Sequence, residues 1–501
     1  MLSRGWRILQ SGIRNFTIRT SLYSLKNFLI FVGVITTYRF LVLYFGNQFV
    51  NTDEAQYWLW SQNLDWGYFS KPPMVAWLIA LANQFSDNAT LSMKLVSLFF
   101  YPLITLIVYG ITKEIFQDKT AFFAGMVFLT MPAVSLSSII ISTDVPLFLF
   151  WSLTLYLFIL SLKTNKTRYW MATGFFAGLG LLSKHNMILF LPSVFVYLLW
   201  SRENRKVLMN PKLYFSMLIA FLIFLPNLFW IVQNDFITFS HLKEISQVER
   251  DLFHLDKLGG FLLDQLAVFG LISFSLLLIF LYKVKLYKNN EYLKLLLVFS
   301  FLFLLVISFQ ALISRAFANW AAPAYVAGSV IVGYMLSKVK IWVFIVAITL
   351  NMTLSAVIYH YDFLTQKLDI ELHKGNDPFK KDRGWPEFAR ELDLIKISYP
   401  DHYILGLDRT VLFKTAFYTN PNILNVQIFN PEKIKSNHFQ FSQDLNLLRG
   451  KNFILISNSK DITKISKFFD ISRFIKEIKI PIHSDYQISY HLFELQNFKG
   501  Y

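Results

Sequence analysis

The chain of 501 residues contains no cysteine, so disulfide bonds, cysteine-based metal sites and a cysteine nucleophile are excluded. Charged residues are also scarce: they make up 16% of the chain, whereas soluble proteins carry about 25%. Acidic residues are fewer than basic residues: the chain has 32 Asp and Glu and 48 Lys and Arg, which gives a net charge of +16. Hydrophobic residues reach 54% and aromatic residues 18%. This balance predicts an integral membrane protein.

Eleven apolar runs approach the roughly 17–25 residues that a membrane-spanning helix needs. They lie near 27–45, 92–112, 120–140, 145–162, 170–183, 186–200, 213–232, 260–282, 293–313, 319–336 and 341–359. The runs at 170–183 and 186–200 are short and could form a tilted or re-entrant pair. The run at 74–85 is too short to span and predicts a helix lying at the membrane interface. The expected fold class is therefore mainly α, a polytopic bundle of membrane helices.

The positions of Lys and Arg predict the orientation of the bundle. They concentrate in alternate loops, at 112–120, 163–169, 201–212, 282–294 and 337–340. Loops of this kind stay in the cytoplasm under the positive-inside rule. Residues 1–26 are basic and lack acids, which predicts a cytoplasmic N-terminus; a mitochondrial-type presequence is the alternative. An odd number of spans then places the C-terminus outside.

The composition divides the chain into three parts. Residues 1–26 form the basic cytoplasmic segment, and 27–359 form the membrane part, with 46–91 as a first periplasmic loop that carries interfacial helices. Residues 360–501 are charged and have no membrane-length apolar run. Strand-like stretches at 403–407 and 453–456 and a helical stretch at 386–397 predict a small α/β domain on the outer side. No internal repeat is evident, which weakens a secondary-transporter interpretation.

Two acidic positions stand out at the predicted outer ends of the spans. Asp53 and Glu54 open the first outer loop's aromatic segment, and Asp144 precedes Pro146 and the fourth span. Each acid could simply cap a helix N-terminus, but a capping carboxylate can also face a cavity. Further charges share this outer level, namely Lys94, Lys184, His185, Asp264 and Arg315.

The common level of these charges favours one class of site. A channel or a proton-coupled carrier would place ionisable groups near the membrane midplane. A site that acts on an amphiphile at the membrane surface would place them at this end. Such a site, if it transferred a sugar from a lipid phosphate, would need a carboxylate for the acceptor hydroxyl and cations for the departing phosphate.

Seven short motifs occur in order over roughly residues 50–390. They are DEAQYW (53–58), KPPMVAWL (71–78), STDVP (142–146), LLSKHN (181–186), NDFITFSH (234–241), NWAAPAY (319–325) and RGWPE (383–387). Their order and common outer placement resemble bacterial GT-C glycosyltransferases of the protein mannosyltransferase-like and aminoarabinose lipid A transferase family. The resemblance implies a GT-C bundle of about 11–13 spans and an inverting transfer of a sugar from undecaprenyl phosphate, or a similar polyprenyl phosphate, on the periplasmic face.

The resemblance also assigns roles to individual residues. It implies that Asp53 is the base or the group that orients the acceptor, with Glu54 beside it and Asp144 as the second acid. The candidates for binding the donor phosphate are Lys71, Lys184 and Arg315. The candidates for lining the substrate cavity are Tyr57, Tyr68, His185, His241, Asn319 and Trp320.

No cofactor beyond the lipid-linked sugar is implied, and no metal-binding Asp-x-Asp triplet stands out. A divalent metal stays an open alternative, because the outer loops hold His241 and His254.

The sequence therefore predicts a glycosyltransferase of the bacterial inner membrane that acts in cell-envelope or lipopolysaccharide biogenesis. Its expected partners are the polyprenyl-phosphate donor, a lipid, glycan or protein acceptor and membrane lipids, and no nucleic acid. Two alternatives remain. A transporter or flippase for lipid-linked sugars predicts ionisable groups at the midplane, and a non-catalytic scaffold predicts that Asp53 and Asp144 tolerate neutral substitution.

Overall fold

The computed structural model describes residues 22–46, 49–240 and 253–501. The helices up to residue 367 are α1 Leu25–Phe45, α2 Thr52–Ser61, α3 Met74–Ala82, α4 Ala89–Ile115, α5 Asp118–Thr130, α6 Pro132–Ser137, α7 Asp144–Thr164, α8 Thr167–Leu181, α9 Phe190–Trp200, α10 Pro211–Gln233, α11 Leu255–Phe269, α12 Leu271–Tyr282, α13 Val284–Tyr287, α14 Glu291–Ile313, α15 Ala324–Ser337, α16 Ile341–Tyr359 and α17 Tyr361–Lys367. Short 3-10 helices occupy His185–Leu189, Arg205–Met209 and Ala318–Ala321.

Six of the described helices are long and apolar enough to cross a membrane, namely α1, α4, α7, α10, α14 and α16. Helices α11 and α12 form a pair bent by 117° that would count as a seventh span. The other predicted runs form shorter helices: α5, α8, α9 and α15 have 13, 15, 11 and 14 residues. Every apolar run predicted from the sequence is thus helical, and the mainly α multi-pass fold is confirmed.

Aromatic side chains fill much of the space between the helices. Phe123 of α5 stacks on Phe344 of α16 with ring centroids 4.0 Å apart. Trp151 of α7 is fully buried and meets Phe303 of α14 edge-on at 5.3 Å. Such aromatic pairs gain roughly 0.5–1.5 kcal/mol beyond the area they bury, and they connect helices that are distant in the sequence.

The five basic loops lie together at one end of the bundle. Lys119 donates a hydrogen bond to the carbonyl oxygen of Ser337, and Lys163 forms an ion pair with Glu114 at 2.8 Å. Lys212 donates to the carbonyl oxygen of Asn165, and Ser201 bonds to Glu291. Because these contacts link all five loops in a chain, the predicted inner loops share a single face.

The C-terminal part contains a five-stranded sheet of order β2-β1-β3-β5-β4. Its elements are α18 Trp385–Ser398, β1 Tyr403–Gly406, α19 Arg409–Tyr418, β2 Val426–Ile428, α20 His438–Ser442, a 3-10 helix Leu445–Leu448, β3 Phe453–Ser457, α21 Thr463–Ser466, β4 Phe469–His483 and β5 Tyr486–Phe498. Strands β2, β1 and β3 are parallel, and β5 runs antiparallel to β3 and β4. The predicted α/β character is therefore confirmed.

The RGWPE motif joins the membrane part to the sheet. Arg383 forms ion pairs with Asp362, which follows α16, and with Asp377. Gly384 is the N-cap residue directly before α18 and has φ +77°, a left-handed conformation that favours glycine. A Cβ atom there would lie 2.4 Å from Cδ1 of Ile482 in β4, so the motif fixes how α18 meets the sheet.

Candidate active site

A polar cavity of about 640 Å³ opens at the end of the bundle opposite the basic loops. It lies where the first outer loop, the start of α7, the turn after α8, the segment after α14 and the start of α19 meet. We call it the polar cavity; its lining residues are Asn51, Asp53, Gln56, Tyr57, Phe69, Ser70, Lys71, Ile140, Ile141, Ser142, Thr143, Asp144, Lys184, Arg315, Phe317, Asn319, Trp320, Arg409 and Ser436. Eight of the residues selected from the sequence are among them.

Asp144 lies at the inner wall of the polar cavity, as the first residue of α7. Its carboxylate accepts a hydrogen bond from the Lys184 ammonium at 2.6 Å and another from the Asn319 side-chain amide at 2.9 Å. The residue is only 7% exposed. The positive end of the helix dipole also favours a carboxylate at this position. Asp144 is thus enclosed by fixed partners and positions Lys184 and Asn319.

Lys71 is brought next to Lys184 by the backbone. It ends a tight turn in which the amide N–H of Lys71 and the carbonyl oxygen of Tyr68 are 3.3 Å apart. Directly after this turn, the Met74 amide N–H donates to the carbonyl oxygen of Leu182 at 3.0 Å. Burial, with a smaller contribution from the neighbouring Lys184 cation, lowers the pKa of the Lys71 ammonium to about 8. Two lysines therefore face the same part of the polar cavity.

Asp53 lies in a more exposed part of the polar cavity. It is the second residue of α2, and its side chain is 59% exposed. The Arg409 guanidinium lies 3.3 Å from its carboxylate and also donates to the Gln56 side-chain oxygen at 3.0 Å. Asp53 is thus the accessible carboxylate of the polar cavity, whereas Asp144 is enclosed by partners.

Tyr57 stands between the two acids. Burial raises the pKa of its phenol well above the usual value, and the nearby Asp53 and Asp144 carboxylates raise it further. The phenol therefore keeps its proton and can donate a hydrogen bond to a bound oxygen. Arg315, at the far side, lies over the ring of Phe317 at 4.4 Å, and Trp320 completes that wall.

Glu54, the neighbour of Asp53, is not among the lining residues. It is 1% exposed and accepts hydrogen bonds from the amide N–H groups of Asn51 and Ile141, both at 3.0 Å. Lys94 lies 3.8 Å from its carboxylate, and burial raises the pKa of Glu54. Its role in the structure is to fasten α2 to the segment before α7.

The remaining candidates lie outside the polar cavity. Tyr68 is buried, stacks on Trp60 at 4.6 Å and donates to the Trp60 carbonyl oxygen, so it packs the loop. His185 follows Lys184 but packs against the ring of Phe239 at 5.9 Å. His241 lies outside the described residues, as does any metal site that would include it. Within the described ranges, no three His, Asp or Glu side chains form a metal-binding group.

Arg409 is the residue that sequence reasoning missed. It is 356 positions from Asp53 and lies beyond residue 390, in a stretch where no motif was recognised. Its neighbour Asp408 caps α19 through a hydrogen bond from the Thr410 amide N–H at 2.6 Å. An Asp that caps a helix N-terminus is common, so the sequence carried no signal that the next residue, Arg409, lies in the polar cavity.

An apolar groove of about 430 Å³ lies between α7, α8, α9 and α10. Phe158, Phe190 and Phe224 line it. So do Leu181 and Met187, which flank Lys184 in the chain. The groove therefore approaches the polar cavity on the side of its lysines.

Sequence comparisons match this region to known proteins. Residues 70–230 match the dolichyl-phosphate-mannose-protein mannosyltransferase family model. The chain is 31% identical over 309 residues to a lipid A galacturonosyltransferase of Rhizobium johnstonii. This match covers 62% of this chain and 65% of that protein. It is 28% identical over 201 residues to a lipopolysaccharide core galacturonosyltransferase of the same species, covering 39% of this chain and 40% of that protein. Each match thus covers less than two thirds of the relative's length.

Solved structures match most of the chain. ArnT from Cupriavidus metallidurans bound to undecaprenyl phosphate aligns with TM-score 0.63 and 12% identity, over 94% of this chain and 98% of that one. An Archaeoglobus fulgidus oligosaccharyltransferase aligns with TM-score 0.51 and 12% identity, over 79% and 64%. The chain has the GT-C fold. Together with the sequence matches, this confirms the resemblance to bacterial GT-C glycosyltransferases.

Within this GT-C fold, the family model covers one part of the polar cavity. Lys71, Asp144 and Lys184 fall inside residues 70–230, whereas Asp53 and Arg409 fall outside. Lys71, Asp144 and Lys184 therefore belong to the matched region. The contact between Asp53 and Arg409 joins the first outer loop to the C-terminal part of the chain.

Proposed function

We propose that the protein is an inverting glycosyltransferase that moves a sugar from a polyprenyl-phosphate carrier to a lipid or glycan acceptor. The observation that carries the proposal is the polar cavity, where an accessible carboxylate, Asp53, faces a wall of cations beside an apolar groove. These are the parts that transfer from a lipid phosphate requires. The family resemblance and the names of the relatives support the same reaction.

The polar cavity suggests where the donor binds. Its lipid tail lies in the apolar groove, and its phosphate lies against Lys71 and Lys184. Leu181 and Met187, on either side of Lys184 in the chain, line that groove. Arg315 supplies a third cation on the same cavity. Charge-assisted hydrogen bonds from such groups stabilise the negative charge that grows on the phosphate as the sugar leaves.

Asp53 is the proposed base. The acceptor hydroxyl gives its proton to the Asp53 carboxylate while its oxygen bonds to the anomeric carbon from the side opposite the phosphate. The bond between the anomeric carbon and the phosphate oxygen breaks, and its electron pair stays on the phosphate. The sugar is thereby inverted and the lipid phosphate departs. Asp144, fixed by Lys184 and Asn319, acts by positioning these two side chains.

The transferred sugar is proposed to be a hexuronic acid, and the acceptor lipid A or the lipopolysaccharide core. Both curated relatives described above are named galacturonosyltransferases, one for lipid A and one for the core. A second argument comes from charge, because four cationic side chains line the polar cavity against two carboxylates. A donor with two negative groups fits this excess.

The placement in the cell is part of the proposal. The basic loops face the cytoplasm, and the polar cavity opens to the periplasm of a bacterial inner membrane. Residues 27–359 then form the membrane part that holds the active site, and 360–501 form a periplasmic domain. Residues 1–26 remain in the cytoplasm.

The test is a transfer assay on the purified protein in detergent, with radiolabelled polyprenyl-phosphate galacturonate as donor and lipid A as acceptor. The wild-type protein should transfer the label with inversion at the anomeric carbon. Asp53→Asn should reduce the rate by roughly 10²–10⁴-fold, the usual contribution of a general base. Asp87→Asn changes an exposed acid of the same loop outside the polar cavity and should leave the rate unchanged. Full activity of the Asp53 variant would reject the proposed base.

A further inference from the structure

Arg409 is held in place by the docking of α19 on α2. Trp58 of α2 meets Phe417 of α19 edge-on at 5.0 Å. The Val50 amide N–H, just before α2, donates to the Tyr418 hydroxyl at 3.0 Å. The fully buried Lys414 forms an ion pair with Asp382 at 2.8 Å and donates to the Val50 carbonyl oxygen. A helix anchored at these points keeps its first residue, Arg409, at a fixed place on the wall of the polar cavity.

The other cations of the polar cavity already have a use. Lys184 is paired with Asp144 at 2.6 Å, and Lys71 lies near it. Leu181 and Met187, on either side of Lys184 in the chain, line the apolar groove. The donor phosphate carries the lipid tail, so it must lie on this side. Arg409 lies next to Asp53, in the more exposed part of the polar cavity. A sugar whose phosphate meets the lysines and whose anomeric carbon faces the Asp53 side extends towards Arg409.

The geometry of Arg409 suits a second anion. Its guanidinium reaches Asp53 at 3.3 Å and Gln56 at 3.0 Å, and its side chain is 45% exposed. A surface ion pair of this kind gains little, typically 0.2–1 kcal/mol. A substrate carboxylate can therefore replace Asp53 as the partner of Arg409, and arginine binds carboxylates through two parallel hydrogen bonds.

We propose that Arg409 binds the carboxylate of a hexuronic acid on the donor and selects this sugar over the neutral hexose of the same stereochemistry. The inference rests on the proposed function and names the residue that reads its sugar. Binding of the substrate carboxylate also draws Arg409 away from Asp53.

The experiment compares two donors, polyprenyl-phosphate galacturonate and polyprenyl-phosphate galactose, with the same lipid A acceptor. The wild-type protein should have the higher kcat/KM with the galacturonate donor. Arg409→Gln should lower this value by about 10- to 100-fold, the effect of losing a hydrogen bond between charged groups. Its kcat/KM with the galactose donor should not fall by the same factor, because galactose has no carboxylate to lose. Arg409→Lys keeps the charge but lacks the planar guanidinium group. Its kcat/KM with the galacturonate donor should lie between the values of the wild type and of Arg409→Gln.

The outcomes separate the two proposals. If Arg409→Gln lowers transfer from both donors by the same factor, Arg409 acts only on Asp53 and the specificity role is rejected. If the wild-type protein prefers the galactose donor, the role is rejected without any variant. If the wild-type protein transfers neither sugar, the proposed function itself fails. A thermal melt of each variant in detergent shows whether a lost activity reflects lost folding.

Discussion

Two adjacent acids of the first outer loop, Asp53 and Glu54, have opposite surroundings. Asp53 is largely exposed in the polar cavity, and Glu54 is buried among backbone donors. Successive residues of a helix point about 100° apart, so only one of the pair could face the cavity. The sequence predicted that an acid of this pair matters, but both can cap a helix. Only the packing of α2 against residues 140 and 141 shows which one is enclosed.

Lys71 leads to a prediction about pH. Burial and Lys184 lower its pKa to about 8, so its amine is a cation below pH 8 and loses its proton above it. We expect kcat/KM for the donor to fall by about tenfold per pH unit above this pKa. Because a bound phosphate favours the cation, saturating donor should restore the rate. Initial rates between pH 6 and 10 at several donor concentrations measure both effects.

Lys71→Arg is the matched variant for this prediction. Arginine stays charged throughout this pH range. Whatever its absolute rate, its kcat/KM should not fall between pH 8 and 10. A wild-type profile that stays flat to pH 10 would show that the charge on Lys71 is not needed for donor binding.

At the scale of elements, the carboxylate of Glu54 connects α2 to the start of α7. Glu54→Ala removes two hydrogen bonds and leaves Lys94, which is 4% exposed, without its ion-pair partner. The loss of one member of a buried pair costs about 3–5 kcal/mol. We therefore expect the thermal unfolding midpoint in detergent to fall by several degrees, and activity to fall because Asp53 is displaced.

Glu54→Gln is the control, because its side-chain oxygen can still accept the bond from the Ile141 amide. It should lower the midpoint less than Glu54→Ala does. Asp53→Asn, one residue away and exposed, should leave the midpoint near that of wild type. If Glu54→Ala melts like the wild-type protein, the connection does not contribute to stability.

The sequence predicted some elements better than others. Apolar runs are unambiguous, and all of those within the described residues are helical. Their ends were less clear: the run at 120–140 breaks between α5 and α6, where Met131 precedes Pro132, since proline disfavours a helical residue before it. The long hairpin β4–β5 was not predicted. Strand β4 is an edge strand with charged, mostly exposed side chains, a composition that protects edges and hides the strand pattern.

At the scale of the whole molecule, the polar cavity is built from segments that are far apart in the chain. The motifs predicted the acids and lysines of the membrane part, because their order matched a known family. Arg409 could not be predicted, since its place depends on how α19 docks on α2. That docking rests on the contacts of Trp58, Phe417 and Lys414, and each of these residues alone looks like an ordinary core or surface residue.

The orientation of the molecule can be tested with single cysteines, because the chain has none of its own. The two variants are Lys464→Cys and Lys288→Cys. Lys464 is exposed in the C-terminal part, and Lys288 is exposed in a basic loop at the opposite end. In intact cells whose outer membrane is permeable to a charged maleimide, we expect label at position 464. Position 288 should be labelled only after the inner membrane is broken. The reverse pattern would place the polar cavity in the cytoplasm, where a lipid-linked sugar destined for the envelope surface could not be used, and the proposed reaction would fail with it.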